Sequence, residues 1–214
     1  MEPNLTNDIF AILQLVPDVR LGIAVSGGGD SIALLRAAHL ACKSAGRSVH
    51  VATVNHGLRP DATRECHFVE ELCQNLNISH DTLNWDGSAA QGNVQAAARD
   101  ARYRLLSDWA RGRDIGHVLL GHTADDQAET MLMALGRGAG PVGLAGMRPF
   151  VVHNDVTYVR PFLHVSRAAL RAHLAHIRQT WIDDPSNADM AYQRIRLRAL
   201  LAPLADAGVP LSAF

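Results

Sequence analysis

Residues 21–35 read LGIAVSGGGDSIALL. The first six form a short, bounded apolar run rich in Leu, Ile and Val, as a strand buried on both faces requires. Three consecutive glycines follow, so the backbone can take positive φ and come close to a ligand. The apolar residues after them resume at helical spacing, which sets the unpaired amides of a new helix start beside the hydroxyls of Ser26 and Ser31. Strand, glycine loop and helix start together make a cradle for phosphate oxygens, with Ser26, Gly27, Gly28, Gly29, Asp30 and Ser31 as its members. A GxGxxG fingerprint would need glycine at Ile32, and a Walker loop would need a lysine that is absent here. The positive field must therefore come from the amides and Mg2+, and Asp30 is the natural metal ligand.

Working outward, VHVATVN (49–55), ISHDTL (78–83) and HVLLG (117–121) are further strand-like runs, each followed by a helical stretch. The clearest helix starts at Val94, where Val94, Ala97, Ala98, Ala101, Leu105 and Trp109 make one apolar stripe. This βαβα order predicts an α/β fold with a doubly wound, mostly parallel sheet. Ligands of such sheets collect at the carboxyl ends of the strands, which directs attention to Ser26, Asn55, Gly121 and the residues just after each of them.

From Gly136 the pattern breaks into GRGAGPVGLAGMRP, with five glycines and two prolines. It predicts neither helix nor strand but a loop in need of a partner surface, serving either as a closing element over substrate or RNA or as a plain connector. Beyond it, FVVHNDVTYVRPF reads as a short hairpin, Ser166 as an N-cap, 167–178 as a helix, DDPSN (183–187) as a turn, and about 190–202 as an Arg-bearing helix. The expected organisation is a nucleotide-binding domain over 1–150, completed by a hairpin and small helical extension over 151–214.

Composition narrows the chemistry. At 214 residues, 48% hydrophobic and 19% charged, the chain can bury one sizeable core or one core with a small appendage. No apolar run approaches membrane-spanning length, and MEPNLTNDIF lacks the basic-then-apolar order of a signal segment, so a soluble, cytoplasmic protein without membrane contact is expected. Cys42, Cys66 and Cys73 form no CxxC pair and are expected as reduced, packed thiols. Nineteen of the twenty basic residues are Arg, and Lys43 is the single lysine, which disfavours lysine-based covalent chemistry. Residues 1–159 carry a net −4 and 160–214 a net +3, so the end of the chain is the better contact for a polyanion, unless the difference reflects only solvated helix faces.

GHTADDQAET (121–130) follows the fourth strand-like run. On a helix, His122, Asp125, Asp126 and Glu129 fall within about 100° of one another. Three carboxylates on one face repel unless a cation joins them, such as Mg2+, an ammonium group or an Arg. Asn55 and His56, after the second run, suit recognition of a base, although a lone His is as often structural. Arg99, Arg102 and Tyr103 lie off their helix's stripe, and Arg99 could grip a phosphate or carboxylate bidentately. Arg194 and Arg198, four apart, are candidate phosphate contacts, with Arg196 pointing elsewhere.

LGIAVSGGGDSIALL resembles the pyrophosphate loop of the N-type ATP pyrophosphatases, the PP-loop family, whose fold is adenine nucleotide alpha hydrolase-like. VNHGLRPDA (54–62), GNVQAAARDARYRLL (92–106), GHTADDQAET with RGAGPVGLAGM (137–147), and DDPSNADMAYQRIRLRALLAPL (183–204) are similar, within that group, to the tRNA(Ile)-lysidine synthetases. The resemblance implies ATP and Mg2+ as cofactors, with L-lysine and an isoleucine tRNA bearing a CAU anticodon as partners. It implies ligation of lysine to carbon 2 of the wobble cytidine through an adenylated base. It further implies nucleotide binding by residues 26–31 with Asn55 and His56, catalysis by Asp30, Asp126 and Glu129, and substrate contacts from Arg99, His122, Asp125, Asp126, Glu129, Arg194 and Arg198. Asp126 and Glu129 would hold the lysine α-amine or the metal, and one of them would accept the amine's proton. Two positions depart from the family pattern: Thr123, where His is frequent, and Ile195, where Asn is usual. Many members carry further C-terminal domains that grip the tRNA body, whereas this chain stops at Phe214, and a homodimer is compatible with what these residues show. The rivals are a sister PP-loop enzyme, such as a tRNA thiolase or an amidotransferase-type synthetase, and, from another class, a non-catalytic nucleotide-binding module.

Overall fold

A computed structural model describes residues 4–17, 20–55, 57, 62–85, 94–183, 190–191 and 193–214. The elements run α1 (Leu5–Leu15), β1 (Arg20–Ala24), α2 (Gly29–Ser44), β2 (Ser48–Asn55), α3 (Ala62–Leu76), β3 (Ser79–Asn84), α4 (Val94–Arg111), β4 (His117–Leu120), α5 (Ala124–Gly136), α6 (Pro141–Leu144), β5 (Phe150–His153), β6 (Val156–Val159), α7 (Arg167–His176) and α8 (Gln193–Asp206). Six strands form one sheet in the order β3-β2-β1-β4-β6-β5. Every pairing is parallel except β5 with β6. The fold is the doubly wound, mostly parallel α/β sheet expected from the sequence.

Alternation along the central strands splits the core in two. Leu21, Ile23 and Val25 join the layer formed with α1, α2, α3 and α7, while Ala24, Val118 and Leu120 join the layer beneath α4. Because both faces are covered, β1 and β4 read as near-continuous apolar runs. The chain winds outward from β1 to β3, then crosses back to place β4 on the other side of β1. The crevice between the carboxyl ends of β1 and β4 is thus the topological switch point of the sheet.

Four expectations change. β3 has no buried residue, because it is an edge strand; Ser79, His80, Asp81 and Asn84 make it polar. Asp81 accepts from Trp109 Nε1 (2.8 Å) and Arg113 (2.6 Å), tying that edge to α4. In α4 the buried face is Ala101, Leu106, Trp109 and Ala110, with Leu105 only half-buried; the side chain of Val94 lies outside the described residues. The hairpin does not stand apart from the sheet: Asn154 and Asp155 turn with φ of 49° and 62°, the left-handed pair that a two-residue turn needs, and β6 then pairs with β4. The glycine segment is not wholly irregular either. It contains the single turn α6, and Met147 is clamped from both sides by the Gln127 amide, whose Oε1 accepts from Met147 N (2.7 Å) while Nε2 donates to Met147 O (3.2 Å). A Cβ on Gly146 would lie 2.7 Å from Gln127 Nε2, and its φ is +67°, so only glycine fits beside that clamp. The partner surface of this segment is α5.

At the switch point, a Cβ on Gly121 would sit 3.0 Å from the carbonyl oxygen of Asp30 and 3.2 Å from Ser31 Cα, both backbone atoms. Gly121→Ala should push the start of α2 away from β4, lowering stability in urea unfolding by about 1–3 kcal/mol and weakening nucleotide binding measured by titration.

Candidate nucleotide and substrate site

The loop after β1 is held from within. Gly27 takes φ +89°, and its carbonyl accepts from Ile182 N at 3.0 Å. Ser31 Oγ donates to the Gly28 carbonyl (2.9 Å) and accepts from Ser26 N (3.1 Å). That leaves the Ser26 hydroxyl as the donor in the 3.3 Å contact between the two Oγ atoms. Helical bonding begins at Ile32 N, which donates to Gly28 O, so the amides of Gly29, Asp30 and Ser31 are the open donors of the α2 start. Trp181 lies against Gly29, where a Cβ would be 3.5–3.6 Å from the indole.

Across the crevice, α5 begins with a reciprocal cap. Thr123 N and Oγ1 both donate to Asp126 Oδ2 at 2.9 Å, and Asp126 N donates back to Thr123 Oγ1. Its other oxygen, Oδ1, faces Arg167 Nη2 at 3.2 Å. Burial works against the charge on Asp126, yet Arg167 and the Thr123 bond hold its carboxyl below the usual range. Asp125 Oδ2 accepts from Arg167 N at 2.7 Å. Asp30 Oδ2 accepts from Arg167 Nε at 2.9 Å, while its Oδ1 is buried with no hydrogen-bond partner. Burial pushes the Asp30 carboxyl up; Arg167 opposes this, and Asp126 and Asp125 add to it.

Glu129, 0% exposed, is surrounded by guanidiniums: Arg198 Nε at 2.7 Å, Arg194 Nε at 2.8 Å and Arg167 Nη1 at 3.7 Å. Arg194 also reaches Thr130 Oγ1, whereas Arg196 caps the carbonyls of Met190 and Ala191. The two arginines expected as phosphate contacts thus face a buried carboxylate. Helix α8 buries no residue of its own, so these ion pairs are what fasten it to α5.

On the far side of His122 the charge reverses. Arg160, 6% exposed, donates from Nε to His122 Nδ1 (3.1 Å), from Nη1 to Arg148 O (2.7 Å) and from Nη2 to the Tyr103 hydroxyl (3.4 Å). A guanidinium cannot accept, so His122 Nδ1 carries no proton and the neutral ring presents Nε2–H. Burial, with Arg102, Arg160 and Arg99 nearby, lowers the His122 pKa to about 3 against the pull of Asp126. Arg99 stacks on Tyr103, its Cζ 5.3 Å from the ring centre. Arg99, Arg102 and Arg160 form a basic cluster beside His122 in which no described carboxylate takes part.

Asn55 turns away from a free role: its amide donates to Asn84 (3.2 Å) and its Oδ1 accepts from Gly57 N (3.0 Å). His56 lies outside the described residues. Cys42 and Cys73 are buried, their thiols pushed up by burial to about 11 and about 12. Sequence reasoning missed Arg167 and Arg160. Arg167 hides as an ordinary helix-start residue behind the Ser166 cap, and Arg160 ends a strand whose place in the main sheet is not visible from its own stretch.

A family model for the PP-loop domain matches residues 1–205. The chain belongs to the PP-loop family. Membership implies the use of ATP. The chain is 46% identical over 209 residues to the tRNA(Ile)-lysidine synthase of Ruegeria pomeroyi, covering 96% of this chain and 49% of that protein. With the enzyme of the same name from Rhodopseudomonas palustris it shares 45% over 202 residues, 94% of this chain and 58% of that protein. The chain therefore spans about half the length of the curated relatives it matches. Among solved structures, the U34-tRNA thiolase of Methanococcus maripaludis superposes with a TM-score of 0.82 at 14% identity, covering 98% of this chain and 74% of that one. The NH3-dependent NAD synthetase of Campylobacter jejuni gives 0.58, also at 14%, covering 96% and 82%. These likenesses bear on the fold. Among the described residues no helix is long and apolar enough to cross a membrane.

Glu129→Gln should cost about 3–5 kcal/mol by leaving its guanidiniums unpaired, and amide exchange should accelerate across 193–206 before the central sheet opens. His122 is held neutral with a depressed pKa, so the unfolded chain binds its proton first. Its contribution is complete above the ordinary value of 6.5 and falls as pH drops towards 3. In urea unfolding, His122→Gln should lose about 2 kcal/mol less than the wild type between pH 6.5 and 5.

Proposed function

We propose that the chain carries the catalytic centre of a tRNA(Ile)-lysidine synthetase, joining lysine to carbon 2 of the wobble cytidine of an isoleucine tRNA with a CAU anticodon. The observation that carries this reading is the meeting of two motifs some ninety residues apart: the SGGGDS loop and the carboxylate face of α5 lie on either side of one guanidinium, Arg167. The name shared by the relatives supports the same reaction.

The cytidine carbon-2 oxygen attacks the α-phosphorus of ATP, and pyrophosphate leaves as the base is adenylated. The open amides of 29–31 stabilise the charge that builds on the leaving group, with donors already aimed and no reorganisation needed. Asp30 Oδ1, a buried carboxylate oxygen with no hydrogen-bond partner, has the hard-donor chemistry that Mg2+ requires. When bound, Mg2+ supplies further charge neutralisation to the phosphates.

Lysine's attacking amine then bonds to carbon 2, AMP leaves, and the proton that the amine loses passes to Asp126. Lysine's ammonium and carboxylate ends match the two sides of His122, acidic towards Asp126 and basic towards Arg99, Arg102 and Arg160. Neutral His122 adds an Nε2–H donor between them. Of the two carboxylates expected to meet the amine, Glu129 is fully covered whereas Asp126 keeps 15% of its side chain exposed, so Asp126 is the anchor.

The test is pyrophosphate release by this chain at low ionic strength, where few phosphate contacts still bind tRNA. A single equivalent should be released with ATP and the isoleucine tRNA alone, and sustained release, accompanied by AMP, should require lysine as well. Release supported by sulfide or ammonia in place of lysine would assign a sister activity, and nucleotide binding without release would assign a binding module. Asp126→Asn preserves a cap acceptor for Thr123 and should lower turnover by about two orders of magnitude; turnover within a few-fold of wild type would remove Asp126 from the reaction.

A further inference from the structure

We propose that Arg167 is an exchangeable counter-cation: its guanidinium occupies the space between Asp30 and Asp126 and yields Asp30 when a divalent cation binds there. The inference rests on the proposed function in so far as it takes Asp30 to be the cation ligand.

The charges come first. Asp30, Asp126 and Glu129 converge on three guanidiniums, and two of those, Arg194 and Arg198, pair with Glu129 from α8. The Arg167 guanidinium answers Asp30 and Asp126. It does so by spreading out: Nε to Asp30 at 2.9 Å, Nη2 to Asp126 at 3.2 Å, and Nη1 near Glu129 at 3.7 Å. Nη1 is buried without a hydrogen-bond acceptor, and Asp30 Oδ1 on the opposite side is buried without a donor. An Arg built as a permanent clamp would make two parallel bonds to one carboxylate. This one makes single bonds to several and leaves a donor and an acceptor unused.

The tether comes second. Arg167 is the first residue of α7, and its backbone N–H, one of the amides a helix cannot satisfy internally, donates to Asp125 Oδ2 at 2.7 Å. The main chain is therefore fixed to α5 independently of the side chain. The guanidinium can turn from Asp30 without moving α7, and any nucleotide phosphate near the α2 start gives it a new anionic partner.

Electrostatics supplies the reason for such a device. Asp30 and Asp126 face one another across a single guanidinium, and Asp125 is bonded to the same residue's main chain, so the crevice concentrates negative charge that a cation must answer. A divalent cation and a guanidinium cannot share the same oxygens without strong repulsion, so one displaces the other.

Mn2+ alone, followed by the loss of its free electron paramagnetic resonance signal, tests this without turnover. Arg167→Gln should bind Mn2+ at least about tenfold more tightly than the wild type, Arg167→Lys should fall between, and Asp30→Asn placed on Arg167→Gln should remove the gain. Equal or weaker Mn2+ binding by a folded Arg167→Gln protein would make Arg167 a fixed structural clamp and overturn the proposal. Should that variant not fold, the unmodified chain decides. The 15N-labelled Arg167 Nε–H, protected by its bond to Asp30, should exchange at least about tenfold faster at saturating Mg2+ with no nucleotide present. Unchanged protection at saturating Mg2+ would equally overturn it. A tightened Mn2+ site in a chain that releases no pyrophosphate with tRNA and lysine would uphold the exchange and reject the reaction.

Discussion

The parallel pairing of β1 with β4 is the constraint on which the site depends. Gly22, Ile23 and Ala24 stand opposite Val118, Leu119 and Leu120, so the segments leaving the two strands emerge side by side. One becomes the glycine loop and α2, the other Gly121 and the cap of α5. Their separation is set by backbone contact, since a methyl group on Gly121 would lie only 3.0–3.2 Å from the main chain of Asp30 and Ser31. Any widening of that contact would move the phosphate cradle away from the carboxylate helix.

Around this crevice the charges are sorted by position. Acidic groups gather where the starts of α2 and α5 meet, with Arg167 between them. Basic groups gather on the other side of His122, around Tyr103 and the end of β6, with no carboxylate partner among the described residues. His122 is the partition: a guanidinium on one nitrogen fixes it neutral, so it separates the two fields without adding charge to either. Glu129 has a different task from Asp126, although both lie on the same helix face. Its full burial and its guanidinium shell make it the fastening point of α8, while Asp126 remains at the wall of the crevice.

The fold was legible because its cues are local. Each apolar run, each helical stripe and the Ser166 cap depend on residues within a few positions of one another, and covering both sheet faces made β1 and β4 continuously apolar. Local cues failed where a segment's meaning came from its neighbour. ISHDTL has the length of a core strand but lies at the sheet's edge. The glycine segment looked unanchored because its anchor, Gln127, is a side chain on the preceding helix. The crowding of carboxylates on α5 was visible from helical geometry alone, and with it the need for a cation; which cation could not be read, because Arg167, Arg194 and Arg198 arrive from two other helices.

By itself the sequence determined the strand-loop-helix unit at 21–35, the alternation that makes the sheet parallel, and the acidic face of α5, all consequences of backbone periodicity and glycine content. Only the tertiary structure decided that Arg167 bridges the two motifs, that Arg160 sets the tautomer of His122, and that Arg194 and Arg198 turn inward to Glu129. The physical reason is reach. An arginine's partner is chosen by which carboxylate or ring nitrogen the fold leaves within a few ångströms of a long side chain, and that distance is a property of packed elements rather than of spacing along the chain.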